Sequence, residues 1–120
     1  MHGLETIIEK NKSKAVKLIK LAQLNGGVTF DGQLNVVTPS NGYTVSIANI
    51  STSTGKNIES QINDLKSKGL FGIFGLWIDG STWYFDENLI VEHKETALKI
   101  ARKFDQLAIW DNANKKEIRI

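Results

Sequence analysis

The stretch Phe71-Gly-Ile-Phe-Gly-Leu-Trp-Ile-Asp-Gly-Ser-Thr-Trp-Tyr-Phe-Asp86 decides the fold of this chain. Its apolar residues alternate on both sides of Asp79-Gly80, a dipeptide typical of tight hairpin turns, and they therefore predict a β-hairpin. A two-residue loop at this dipeptide gathers one apolar set on a common face: Phe74, Leu76, Ile78, Trp83 and Phe85. We expect that face to belong to the core.

The opposite face of the predicted hairpin carries Ile73, Gly75, Trp77, Thr82, Tyr84 and Asp86. The same loop places Tyr84 across from Gly75, where an aromatic ring can cover the bare backbone. Aromatic rings with an acidic rim are typical of a surface that binds a basic protein partner or a second copy of the chain. We therefore expect Trp77, Thr82, Tyr84 and Asp86 to contact a partner; the alternative is that a helix covers Trp77 and Tyr84.

Helical and strand patterns on both sides of this hairpin predict an α+β fold. Apolar residues three and four apart predict a helix over residues 4–24, which the run Asn25-Gly26-Gly27 ends. A three-residue loop starting at Asp31 would pair Phe30 with Leu34. Including residues 118–120 as an optional last strand, the predicted order is α-β-β-β-α-β-β-α-β(-β), a mainly antiparallel sheet with three helices.

Length and composition favour a single compact domain over residues 1–120, with residues 1–3 frayed. The chain has 120 residues, 41% hydrophobic content and a net charge of +2, which are ordinary globular values. It has no cysteine, and no apolar run approaches the ~20 residues of a membrane span. We expect a cytoplasmic protein that does not contact membranes.

Catalytic signatures are scarce in this sequence. Only two histidines occur, His2 and His93, and the fragment Thr54-Gly55-Lys56 lacks the first glycine of a phosphate-binding loop. Five carboxylates could form an acid–base pair, although turn or strand-end positions explain most of them: Asp79, Asp86, Glu87, Glu92 and Asp111. The sequence therefore predicts a protein that is not an enzyme, with no metal and no cofactor.

A second binding hypothesis rests on the first helix. Lys10, Lys14 and Lys17 share one helical face, and Lys20 follows them. These lysines could contact the phosphates of a nucleic acid, in which case affinity would fall steeply with salt. The alternative is a solvated helix face, since lysine is a good helix former.

Several segments of residues 25–111 resemble a group of small uncharacterised proteins encoded by bacteriophages and mobile genetic elements. The likeness lies in Asn25-Gly-Gly-Val-Thr-Phe-Asp-Gly32, Pro39-Ser-Asn-Gly-Tyr-Thr-Val-Ser-Ile47, Gly75-Leu-Trp-Ile-Asp79, Trp83-Tyr-Phe-Asp86, Ala97 and Gln106-Leu-Ala-Ile-Trp-Asp111. The resemblance implies a bacterial cytoplasmic setting and an accessory role directed at a host or defence protein. It carries no catalytic residue to this chain.

Overall fold

The computed structural model describes the backbone of residues 3–120 and the side chains from Lys14 onward. The expected fraying of residues 1–3 therefore lies largely outside the described residues. The described chain forms, in order, α1 (Gly3–Asn25), β1 (Gly27–Asp31), β2 (Tyr43–Ser53), α2 (Ile58–Ser67), β3 (Ile73–Asp79), β4 (Thr82–Val91), α3 (Lys94–Lys103), β5 (Ala108–Asp111) and β6 (Lys116–Arg119).

The six strands form one antiparallel sheet in the order β1-β3-β4-β2-β5-β6, which confirms the predicted α+β class. The end of the chain supplies β6, so the optional last strand is formed. The segment around residues 34–37 contributes a single bridge, Phe30 to Val36, beside β1.

Both predicted loop registers are wrong by two residues. In the β3–β4 hairpin Asp79 pairs with Thr82, so the loop is Gly80-Ser81, and Gly80 has the positive φ of 61° that a tight hairpin needs at its first loop position. Asp86, and not Tyr84, therefore lies across from Gly75. A shift of two residues keeps every side chain on its predicted face, because side chains alternate with a period of two.

The carboxylate of Asp31 sets the register of the loop after β1. Asp31 Oδ1 accepts hydrogen bonds from the backbone N–H groups of Gln33 (2.9 Å) and Asn35 (3.0 Å). This side-chain turn keeps Asp31 paired with Asn35 through the backbone, at 2.9 Å, and Phe30 therefore meets Val36 instead of Leu34.

All three helices pack on one face of the sheet, which buries two apolar clusters. The larger cluster lies under α1 and α2 and contains Phe30, Phe74, Leu76 and Phe85, with Ile78 and Trp83 packed against it. The hairpin face predicted to be core is therefore core. The smaller cluster places Ala97 and Ala101 of α3 against Val45 and Ile109.

Candidate partner-binding site

The face of the sheet opposite the helices is called the open face here. Directly paired residues of neighbouring strands point to the same side of a sheet. The strand registers therefore assign these residues to the open face: Gly75 and Trp77 of β3; Thr82, Tyr84, Asp86 and Asn88 of β4; Thr44, Ser46 and Asn49 of β2; and Trp110 of β5. The four residues predicted to bind a partner, Trp77, Thr82, Tyr84 and Asp86, share this face.

Two irregularities in β2 bring its polar residues to the open face. The register slips between Ser46 and Ala48 and again between Asn49 and Ser51. As a result, Ser46 pairs with Asn88 and Asn49 pairs with Asp86, although Ser46 and Asn49 are three positions apart. Bulges of this kind bend a strand and redirect its side chains.

The indole rings of Trp77 and Trp110 meet above the open face. Their centroids are 6.1 Å apart, with the planes tilted by 45°. Trp77 belongs to β3 and Trp110 to β5, and two strands lie between them. In a flat sheet these strands would be roughly 14 Å apart, at about 4.8 Å per strand. The open face is therefore concave, because the sheet curls enough to bring the side chains of β3 and β5 into contact at this aromatic pair.

Two glycines make room for the Trp77 ring. A Cβ added to Gly27 would lie 2.0 Å from Cε3 of the ring, and a Cβ added to Gly75 would lie 2.6 Å from its Nε1. The indole thus lies directly against the bare backbone of β1 and β3. An aromatic ring therefore covers Gly75, as the sequence predicts, but the ring belongs to Trp77 and not to Tyr84.

Asp86 is a buried carboxylate with one neutral hydrogen-bond donor. The residue is 8% exposed, and its Oδ1 accepts a hydrogen bond from Asn49 Nδ2 at 2.8 Å. Burial raises the pKa of Asp86, and hydrogen bonds from Asn49 and from the nearby Ser46 hydroxyl oppose that rise. The Ser46 contact is weak, because its Oγ has no partner within ordinary hydrogen-bond geometry among the described residues. No described cation forms a salt bridge with Asp86.

Asn88 holds unused hydrogen-bonding capacity beside Asp86. It is 3% exposed, and neither Nδ2 nor Oδ1 has a hydrogen-bond partner within the described part of the chain. Its Nδ2 lies 2.4 Å from the position that a Cβ of Gly75 would occupy, close to the Trp77 Nε1. A buried polar group left without a partner costs about 1–3 kcal/mol. The open face therefore bears a polar cluster that the chain itself does not satisfy.

The rim of the open face is polar and partly exposed. Tyr84 pairs with Trp77 and is 37% exposed, and Thr82 is half-buried opposite Asp79. At the other end, the buried Thr44 donates its hydroxyl to Asn112 Oδ1 at 3.1 Å. No described helix covers Trp77 or Tyr84, because the helices pack on the other face.

Sequence reasoning missed Trp110 and Asn88. Trp110 lies in β5, and its meeting with Trp77 depends on the curl of the sheet. Asn88 lies two residues beyond Asp86 in β4, on the same face as that carboxylate. The alternation along β4 was the one available signal, because it places polar residues at 86 and 88 on one side.

The other carboxylates and the histidine do not converge with Asp86. Glu87 pairs with Phe74 on the helix side, and Asp79 is exposed at the turn. Asp111 belongs to a turn in which hydrogen bonds from the side chain and backbone of Asn114 lower its pKa. His93 is exposed, 3.9 Å from Glu92. No group of three potential metal ligands is found among the described residues.

The lysines of α1 are not equivalent. Lys14 Nζ donates to the Gln33 carbonyl (3.4 Å) and to Asn35 Oδ1 (3.3 Å), so it contacts the loop after β1. Lys17 and Lys20 are exposed, and the side chain of Lys10 lies outside the described residues. Of the four lysines proposed to contact phosphate, two are thus shown to face solvent.

Comparison of the chain with protein-family models, with curated proteins and with solved structures gave no match. Within residues 3–120, no helix combines the length and the apolar character needed to cross a membrane.

Proposed function

We propose that this protein is a non-enzymatic binding module whose open face receives a partner protein. The observation that carries the proposal is the Trp77–Trp110 pair on a concave, helix-free face, with the unsatisfied Asp86–Asn88 cluster beside it. Aromatic residues at the centre of a surface and polar groups awaiting partners are typical of energetic centres in protein interfaces.

The resemblance to proteins of bacteriophages and mobile elements suggests where the partner would be found. We extend the proposal to a partner in the bacterial cytoplasm, such as a host or defence protein. A polar rim around an aromatic centre is typical of interfaces between proteins that are not permanently associated.

The test is a pull-down from bacterial lysate with nuclease treatment, at low and high salt. The wild type is compared with a Trp77→Ala, Tyr84→Ala variant and with Phe71→Ala. Phe71 is a matched control because it is an aromatic residue that is 94% exposed and lies outside the open face. The proposal expects a protein that survives nuclease, is retained by Phe71→Ala and is lost with the double variant; each variant is first shown to fold.

The nucleic-acid alternative has its own signature in the same experiment. It expects nuclease-sensitive and salt-sensitive material that the double variant retains and that Lys17→Glu, Lys20→Glu loses. That result would replace the open face with α1 as the binding surface.

A further inference from the structure

The charge on the open face is unbalanced at the buried carboxylate of Asp86. On β4, β3 and β2 the groups that face Asp86 are neutral: Tyr84, Asn88, Gly75, Trp77, Ser46 and Asn49. The other described charges on the same side are Asp31 and Asp79 at strand ends and, on β6, Glu117 and Arg119, which pair with each other at 3.0 Å. A carboxylate removed from water without a cation is costly, so this position favours a positive charge from outside.

The acceptor atoms without a hydrogen-bond partner indicate how many donors the incoming cation should have. Asp86 Oδ1 is bonded to Asn49, whereas Oδ2 accepts no hydrogen bond from the described residues. Beside it, Asn88 Oδ1 is a second acceptor, which is buried and has no hydrogen-bond partner among the described residues. A ligand group that satisfies this cluster must donate more than one hydrogen bond from one small region.

The Trp77–Trp110 pair adds a requirement on the shape of the ligand group. The Trp77 indole lies against Gly75, which is paired with Asp86, so the Trp77–Trp110 pair offers indole surface near the carboxylate. A guanidinium is planar, permanently charged, has five N–H donors and stacks on indole faces, whereas an ammonium is compact and more strongly hydrated. Of the two protein cations, arginine fits the combination of acceptor and aromatic ring better.

We propose that the partner of the open face presents an arginine side chain, whose guanidinium pairs with the Asp86 carboxylate and stacks on the Trp77–Trp110 pair. This inference rests on the proposed function and names the chemistry by which the partner is held. Two parallel hydrogen bonds to a carboxylate would also fix the orientation of the partner segment.

The test uses N-acetylargininamide as the probe and follows the indole N–H signals of Trp77 and Trp110 by NMR. The proposal expects saturable shifts in the wild type, with affinity about tenfold weaker or more for the neutral isostere N-acetylcitrullinamide. N-acetyllysinamide should also bind more weakly than the arginine probe. Because this comparison uses one folded protein, it does not depend on any variant.

Asp86→Asn supplies the second arm, since an asparagine can still accept the Asn49 hydrogen bond. The arginine probe should lose about tenfold in affinity with Asp86→Asn and should keep its affinity with Asp79→Asn, an exposed aspartate at the turn. Affinity for the wild type should also fall as acid protonates Asp86. Equal binding of arginine and citrulline probes, or an unchanged affinity in Asp86→Asn, would overturn the inference.

This result can be separated from that of the pull-down. The arginine probe could fail to bind while the Trp77→Ala, Tyr84→Ala variant still loses a protein in the pull-down. That outcome would support the binding module and contradict the arginine contact. If the probe binds and no protein depends on the aromatic residues, the guanidinium site stands and the protein partner does not.

Discussion

At the scale of single residues, Gly75 organises the open face by having no side chain. Its bare backbone admits both the Trp77 indole and the Asn88 amide, and it lies across from Asp86. Trp77 and Asp86 could be found from the sequence because alternation along a hairpin fixes the face of each residue. Asn88 lies on the same face by the same alternation along β4, whereas Trp110 could not be connected to Trp77, because their meeting depends on sheet curvature that local patterns do not encode.

Adding a methyl group at residue 75 should disrupt this arrangement. In Gly75→Ala the new Cβ meets Asn88 Nδ2 and Trp77 Nε1 at distances that real structures do not allow. We expect a loss of roughly 1–3 kcal/mol in the free energy of unfolding and an altered tryptophan fluorescence spectrum. Urea unfolding measures the first, with the exposed Ser81→Ala as control; unchanged stability and fluorescence would show that Trp77 does not lie on Gly75.

Removing the charge of Asp86 should stabilise the protein at neutral pH. The pKa of Asp86 is higher in the folded than in the unfolded state, so the folded protein binds more protons between those two values. The ionised carboxylate therefore destabilises the fold above the folded-state pKa, and this penalty disappears as pH falls toward the unfolded-state value. Asp86→Asn should melt at a higher temperature than the wild type at pH 7, and the difference should shrink in acid.

Thermal melts across this pH range check the expectation, with Asp79→Asn as the control for loss of a carboxylate. A variant that is less stable than the wild type at pH 7 would mean that Asp86 is already compensated within the fold.

At the scale of elements, β2 and the β3–β4 hairpin show which features of a strand its local sequence pattern can predict. The hairpin faces follow from alternation alone, whereas its register depends on Gly80 taking the positive φ at the first loop position. Similarly, the loop after β1 is set by the Asp31 side chain, which no apolar pattern records. The bulges of β2 could not be predicted from the sequence. They arise where β2 pairs with β4, and that pairing is not a hairpin that a local pattern predicts.

The docking of α3 depends on two small residues. Ala97 and Ala101 are fully buried against the sheet, so α3 approaches it closely. We expect Ala97→Leu to lower the free energy of unfolding by about 1–3 kcal/mol, because the extra atoms have no space. Lys99→Leu on the exposed side of α3 is the control and should stay within about 0.5 kcal/mol. If both variants unfold alike in urea, α3 is not packed as described.

At the scale of the whole molecule, one sheet joins two separate apolar clusters. The β2–β4 ladder connects them, because β4 supplies Phe85 to the larger cluster and β2 supplies Val45 to the smaller one. Burying both clusters on the same side leaves the other side of the sheet without helices, and the open face is a consequence of that division.

This division predicts one unfolding transition. Leu76→Ala in the larger cluster and Ile109→Ala in the smaller one should each lower the free energy of unfolding by about 2–5 kcal/mol. Circular dichroism and tryptophan fluorescence should report coincident urea curves for both variants. Two separated transitions would mean that the clusters fold independently.

Site-specific photo-crosslinking tests the open face as a partner surface most directly. A photoreactive amino acid replaces Thr82 at the rim of the open face in one variant and Lys99 on the exposed side of α3 in another. The proposal predicts a discrete protein adduct in bacterial cells from position 82 that disappears when Trp77→Ala is added, and none from position 99. An adduct that forms only from position 99, or one from position 82 that persists without Trp77, would contradict it.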